Sequence, residues 1–158
     1  MHGVARATRD IDVLVEMSTD QVGPLASTLA QNFYADAGMM REAMQAKRAF
    51  DLIHYATCYK FAIFPAQPDA YTRAQFYRRL PGRFPVENEE VQFQIASPED
   101  SIVSKLVWYQ SGGEVSDQQW RDVLGVVKVQ GARLDLEYLR KWAVRPGVDS
   151  LLERALDD

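Results

Sequence analysis

The sequence has almost no cysteine: Cys58 stands alone among 158 residues. One thiol excludes an internal disulfide framework and cannot by itself make a thiolate metal site; free cysteine being a small hydrophobe, a buried apolar thiol is expected. Long apolar runs are also missing, and the N-terminus lacks the basic-then-apolar pattern of a signal segment. No membrane partner and a cytoplasmic location are therefore expected. An excess of positive charge is absent, the formal net charge being −4. This excludes a general nucleic-acid coat, although a local basic patch is compatible with it. There is no low-complexity linker and no internal repeat at a solenoid period. With 47% hydrophobic and 25% charged residues, the composition suits one folded domain over 1–158 with a sizeable core.

What the sequence does contain is RATRDIDVLV, from Arg6 to Val15, which alternates as a β-strand entering a core. Side chains on a strand take opposite faces in turn, so Asp10, Asp12 and Leu14 share one side and Ile11, Val13 and Val15 the other. Two carboxylates on neighbouring same-side positions repel each other, and a cation between them removes the repulsion. Hard oxygen donors at this spacing suit Mg²⁺ or Mn²⁺ better than zinc. An acidic strand start that simply faces water is the other account of the same residues.

The string HGVARATRDIDVLVE resembles the nucleotidyltransferase superfamily related to DNA polymerase beta, and more closely the small bacterial nucleotidyltransferase-like proteins of the abortive-infection toxin type. The resemblance extends into the segment from Ala96 to Ala143, where the family has a lysine helix followed by an Arg-Asp helix. It implies that Arg6, Thr8, Asp10 and Asp12 belong to the site, with the two aspartates holding the metal that carries a nucleoside triphosphate. It also implies an earlier strand and a Gly-Ser element ahead of His2-Gly3, which this sequence does not contain. A fragment, an upstream start and a protein that has dispensed with part of the phosphate site all fit that difference. A missing neighbour would leave the Asp10 to Glu16 strand with an open edge, so association, as a homodimer through that edge, or poor solubility is expected.

Further along, Ser18 and Thr19 offer N-caps for a helix to about Asn32, with Pro24 tolerable only in its first turn. Met39 to Arg48 reads as a helix and Phe50 to Tyr55 as a strand, whose Asp51 and His54 are expected to be structural or to face water. In the next strand, Tyr59 to Pro65, the resembling families often carry a third carboxylate; Ala62 stands there, and alanine can neither bind a cation nor take a proton. Asp51 or His54 could substitute for it. A helix from Tyr71 to Leu80 carries Arg73, Arg78 and Arg79, which suit either a nucleotide or RNA backbone or, as the plainer account, a solvated helical face. Pro81-Gly82-Arg83 reads as a break and Glu87, Glu89 and Glu90 as a solvated loop before a strand from Val91 to Ala96.

The second half is helical. Ser97 as N-cap, Pro98 at the first helical position and Glu99 and Asp100 in the first turn open a helix to about Ser111. Ile102, Lys105, Leu106, Trp108 and Tyr109 share its broad apolar face, which sets Lys105 within the apolar side. Such a lysine either snorkels to water or, as the resemblance implies, neutralises the triphosphate. Ser116 and Gln119 read as a capping box for the next helix. Trp120, Val123, Leu124 and Val127 form one apolar face, with Val126 and Val129 beside Asp122 on the other, as in a helix packed between layers. The resemblance assigns Asp122 to the active centre; pairing with Arg121, Lys128 or a neighbouring helix is the alternative. A helix from Leu134 to Val144, with Leu136, Leu139 and Trp142 in the core, and a final one capped by Asp149 complete the chain.

The expected architecture is α+β: a small mixed sheet of the nucleotidyltransferase type in 1–96 and a helical half in 97–158. The expected function is metal-dependent transfer of a nucleoside monophosphate from an NTP to a hydroxyl acceptor on RNA, a protein or a small molecule. The alternative is a catalytically impaired protein of that fold acting as a binding or regulatory partner, as in a toxin-antitoxin pair. The absent Gly-Ser segment and Ala62 favour the alternative, and the joint presence of Arg6, Thr8, Asp10, Asp12 and Lys105 favours the enzyme.

Overall fold

The computed structural model of the chain describes residues 10–86 and 89–158. The architecture is α+β, with a small mixed four-stranded sheet and a separate two-stranded one. The described residues form two compact units, one ending at Thr72 and the other beginning at Arg73.

The first unit contains β1 (Asp10–Val15), α1 (Val22–Leu29), β2 (Phe33–Tyr34), α2 (Ala37–Gln45), β3 (Phe50–His54) and β4 (Lys60–Pro65). The sheet order is β1-β4-β3-β2, with β1 parallel to β4 and the other pairs antiparallel. The Ser18 backbone N–H donates to Gln21 Oε1 at 2.8 Å, closing a short 3-10 turn, Thr19–Gln21, ahead of α1. Pro24 thus falls in the first turn of α1, where its missing N–H costs nothing. That helix ends at Leu29, short of the expected Asn32. Asp36 caps α2 by accepting from the Met39 N–H at 2.6 Å. Both helices bury one face: Val22, Ala26, Met40 and Ala43 meet Phe50, Leu52 and Ile63 of the sheet, with Val13 and Val15 packed alongside.

Cys58 departs from expectation. It lies exposed in the turn between β3 and β4, with φ of 55°, its N–H donating to the His54 carbonyl at 2.8 Å. The turn geometry, not the apolar character of the thiol, decides its place. Cys58 is expected to react to completion with a water-soluble disulfide reagent under native conditions; a thiol that reacts only after denaturant is added would contradict this placement.

The second unit holds the end of α3 (Ala70–Arg78), then β5 (Leu80–Val86), β6 (Glu89–Ile95), α4 (Pro98–Ser111), α5 (Asp117–Gln130), α6 (Leu136–Ala143) and α7 (Asp149–Asp157). Pro81-Gly82-Arg83, expected as a break, lies inside β5, and Glu89 and Glu90, expected in a loop, belong to β6; Glu87 lies outside the described residues. Ser97 and Ser116 are the N-caps of α4 and α5 as expected, with Ser97 Oγ accepting from the Asp100 N–H at 3.1 Å and Ser116 Oγ from the Gln119 N–H at 3.3 Å, the serine half of the expected capping box. Asp135 caps α6, whereas Asp149 sits in the first turn of α7 behind Val148. α4 packs on α5, α6 and α7 over a core of Ile102, Val103, Leu106, Val123, Leu139 and Leu152, all with no exposure. Leu136, expected in the core, is 39% exposed at the start of α6, and Val129, near the end of α5, is also exposed. Among the described residues no helix is long and apolar enough to cross a membrane.

Candidate functional site

The alternation along β1 sorts its side chains as the sequence requires. Val13 and Val15 pack on the helix-covered core, while Asp10 and Asp12 are exposed on the opposite side. The register then decides what accompanies them. Asp12 pairs with Ala62 of β4, and Ala62 in turn with Asp51 of β3. Paired residues project to one face of a sheet, so Asp12, Ala62 and Asp51 form one row across three strands. The adjacent row is Asp10, Lys60 and Ile53. Ala62 itself is only 8% exposed.

Lys60 gives the face its electrostatics. Its Nζ lies 3.8 Å from Asp10 Oδ1 and 4.0 Å from Asp51 Oδ2. One ammonium thus offsets the repulsion of carboxylates on the two strands flanking β4. With Lys60 42%, Asp10 61% and Asp51 50% exposed, each contact is solvent-screened and weak. A ligand could displace these two Lys60 contacts at little cost. Lys60 was not singled out in the sequence, although its position two residues before Ala62 on an alternating strand carries the signal.

His54 is not a member of this face. It shares the alternate side of β3 with Phe50 and Leu52, its ring lies 4.9 Å from that of Phe33, and its Nδ1 is hydrogen-bonded to Thr57 Oγ1 at 2.8 Å. Of the two substitutes considered for the third carboxylate, only Asp51 lies with Asp12. Arg6 and Thr8 lie outside the described residues. Among the described residues, no group of three or more His, Cys, Asp or Glu side chains is arranged to hold a metal ion.

In the second unit, Lys105 and Asp122 come together: Lys105 Nζ donates to Asp122 Oδ2 at 3.0 Å, from α4 to α5, with the side chains 27% and 18% exposed. Lys105 meets the apolar side of α4 through a charge partner on the neighbouring helix, and Asp122 pairs as its position on the second face of α5 allows. Arg78, expected on a solvated face, is drawn inward to Glu99 at 3.0 Å and Asp135 at 3.3 Å. Its guanidinium also stacks on Tyr138, 4.2 Å from the ring centroid. No family model matches the chain, and no curated protein or solved structure matches it.

Proposed function

We propose that the chain is a nucleotidyltransferase-like protein that binds a nucleoside triphosphate on the open face of its four-stranded sheet. The observation that carries this reading is the exposure of Asp10 and Asp12 side by side on the face opposite the core, with Asp51 in the row of Asp12. Two exposed carboxylates at alternate strand positions do not make a cage for a bare ion. They do fit Mg²⁺ or Mn²⁺ that arrives with phosphate oxygens as further ligands. Bound there, the ion would supply charge stabilisation on the phosphates.

In this reading Asp10 and Asp12 hold the metal-nucleotide, and Lys60 gives up its contacts with Asp10 and Asp51 to face phosphate. Asp51 supplies the carboxylate that Ala62 cannot, taking the proton from the acceptor hydroxyl as its oxygen attacks the α-phosphorus and pyrophosphate leaves. A second reading, a catalytically impaired protein of this type that works as a binding or regulatory partner in a toxin-antitoxin pair, is favoured by Ala62 in β4 and by a lysine already lodged between the carboxylates.

Titration calorimetry with ATP and Mg²⁺ tests both. Saturable binding is expected, lost in the Asp10→Asn, Asp12→Asn double variant. Absence of binding by the unmodified chain would overturn the nucleotide site altogether. Asp51→Asn then separates the readings: it is expected to keep nucleotide binding and to lose any transfer by about 100-fold or more, the scale of a general base. A chain that binds nucleotide but transfers it to no acceptor would favour the impaired form.

A further inference from the structure

β5 and β6 form a two-stranded antiparallel ribbon whose register runs without interruption from Leu80↔Ile95 to Val86↔Glu89. Pro81 and Pro85 lie within it, paired with Gln94 and Glu90. Proline has no N–H to give, so an unbroken ladder requires both prolines at pairs that exchange no hydrogen bonds. The ladder bonds therefore fall at Leu80–Ile95, Gly82–Phe93, Phe84–Val91 and Val86–Glu89. Pro81, Arg83 and Pro85 turn their backbones to the outer edge of β5, and Glu90, Gln92 and Gln94 turn theirs to the outer edge of β6.

The two edges differ. Along β5, Arg83 alone among the three outward residues keeps an N–H, and prolines on both sides of it stop strand addition. Along β6, Glu90, Gln92 and Gln94 each present a donor and an acceptor, and all three are exposed. The ribbon also carries an uncovered apolar side: Leu80 is 42%, Val91 47% and Phe93 42% exposed. Phe93 and Ile95 lie across Gly82, where an added Cβ would sit 2.8 Å from the Phe93 ring and 2.7 Å from the Ile95 terminal methyl. Two strands alone are marginal in water, and three or more with an apolar face are needed for independent stability.

We propose that β6 is the interface of a homodimer, in which two copies pair their β6 strands antiparallel about an axis through Gln92 to give a four-stranded sheet. That axis brings all three outward residues of each copy into the ladder. Gln92 faces its own counterpart, and Glu90 faces Gln94 of the second copy, so that each carboxylate meets an amide able to donate to it. An axis through Glu90 would instead set carboxylate against carboxylate and shorten the pairing. On the apolar side, Val91 meets Phe93 of the second copy. A second copy fits this edge because the strand is complementary to itself in backbone hydrogen bonding, and Glu90, which Arg83 reaches at 3.4 Å within its own ribbon, then meets a neutral amide and not another carboxylate.

Sedimentation velocity on the full chain reads the proposal. The unmodified chain is expected to be a concentration-dependent dimer. Gln92→Pro removes an outward N–H and no bond of the ribbon itself, and is expected to give a monomer. Arg83→Pro places the same residue across the same pair on the closed edge; it also removes the contact of Arg83 with Glu90 at 3.4 Å, which is solvent-screened and weak, and is expected to remain dimeric. Gln94→Glu, which needs no backbone change, sets like charges opposite each other on both sides of the axis; it is expected to weaken the dimer about tenfold, with recovery in salt. A monomeric unmodified chain, a dimer that survives Gln92→Pro, as one formed through the edge of β1 would, or a dimer lost equally in Arg83→Pro would each overturn it.

Discussion

Arg78→Met is expected to destabilise the second unit by about 3 kcal/mol, because it leaves a carboxylate buried without its cation. Glu99 is 5% exposed at its side chain, and Arg78, itself 29% exposed, reaches it at 3.0 Å. Glu99 also accepts from the backbone N–H of Asp135, at 3.0 Å. The contact of Arg78 with Asp135, whose side chain is 45% exposed, adds little. Stacking on Tyr138 contributes about 1 kcal/mol at a site of this exposure. Tyr138 in turn donates its hydroxyl to Asp100 Oδ1 at 2.8 Å, so the arginine orients a ring on which a second buried carboxylate depends. Urea denaturation reads the effect as a lower midpoint at unchanged slope. A loss under about 1 kcal/mol would mean that Glu99 is resolvated in the variant and that the cluster is not a closed unit.

The same cluster sets a pH dependence of defined sign. Burial pushes the Glu99 carboxyl up, but the Asp135 backbone N–H, its own N–H and the Arg78 guanidinium together hold it below the ordinary 4.5. Stability from this group is present above 4.5 and is lost as pH falls through the lower folded value. Asp100 behaves oppositely: burial raises it above 3.8, outweighing the hydroxyls of Ser97 and Tyr138 and the charge of Arg78. Its ionisation costs stability above that raised value, and the cost is relieved as pH falls toward 3.8. The gap between the unmodified chain and Arg78→Met is therefore expected to be widest near neutrality and to narrow as pH falls and Glu99 takes up a proton, first in the variant, where burial is no longer offset by the guanidinium. A gap constant with pH would separate the arginine's packing from its charge.

The sequence made local features legible and left non-local ones hidden. The common face of Asp10 and Asp12 follows from strand periodicity, and the start of α4 follows from Ser97 and Pro98, because both are decided within a few residues. The row of Asp12, Ala62 and Asp51 depends on the register of three strands, which no single segment carries. Arg78 was indistinguishable from a solvated helical arginine because its partners stand far along the chain at Glu99 and Asp135. Pro81-Gly82 looked like a break because proline is poor in a strand unless its nitrogen faces an unpaired edge, and which way it faces is set by β6. β2, a strand of two residues, is shorter than any alternation can reveal. Cys58 illustrates the reverse error, since a residue-type average does not see a turn.

Met40→Ala is expected to cost the first unit about 2–5 kcal/mol. Met40 has no exposure and belongs to the cluster that joins α1 and α2 to β3 and β4. Truncation removes apolar contact and leaves a cavity, and the rigid strands beneath it can close in only partly. The substitution acts entirely on the core side of the sheet, whereas Asp10, Asp12, Asp51 and Lys60 stand on the other. Alternation couples the faces through the backbone alone. At temperatures where the variant stays folded, its affinity for Mg²⁺-ATP is therefore expected to match that of the unmodified chain. A matched affinity at lower stability would mean that the acidic face binds as a preformed surface. A loss of affinity without unfolding would mean that the row is held in register by core packing, and that the open face has no geometry of its own.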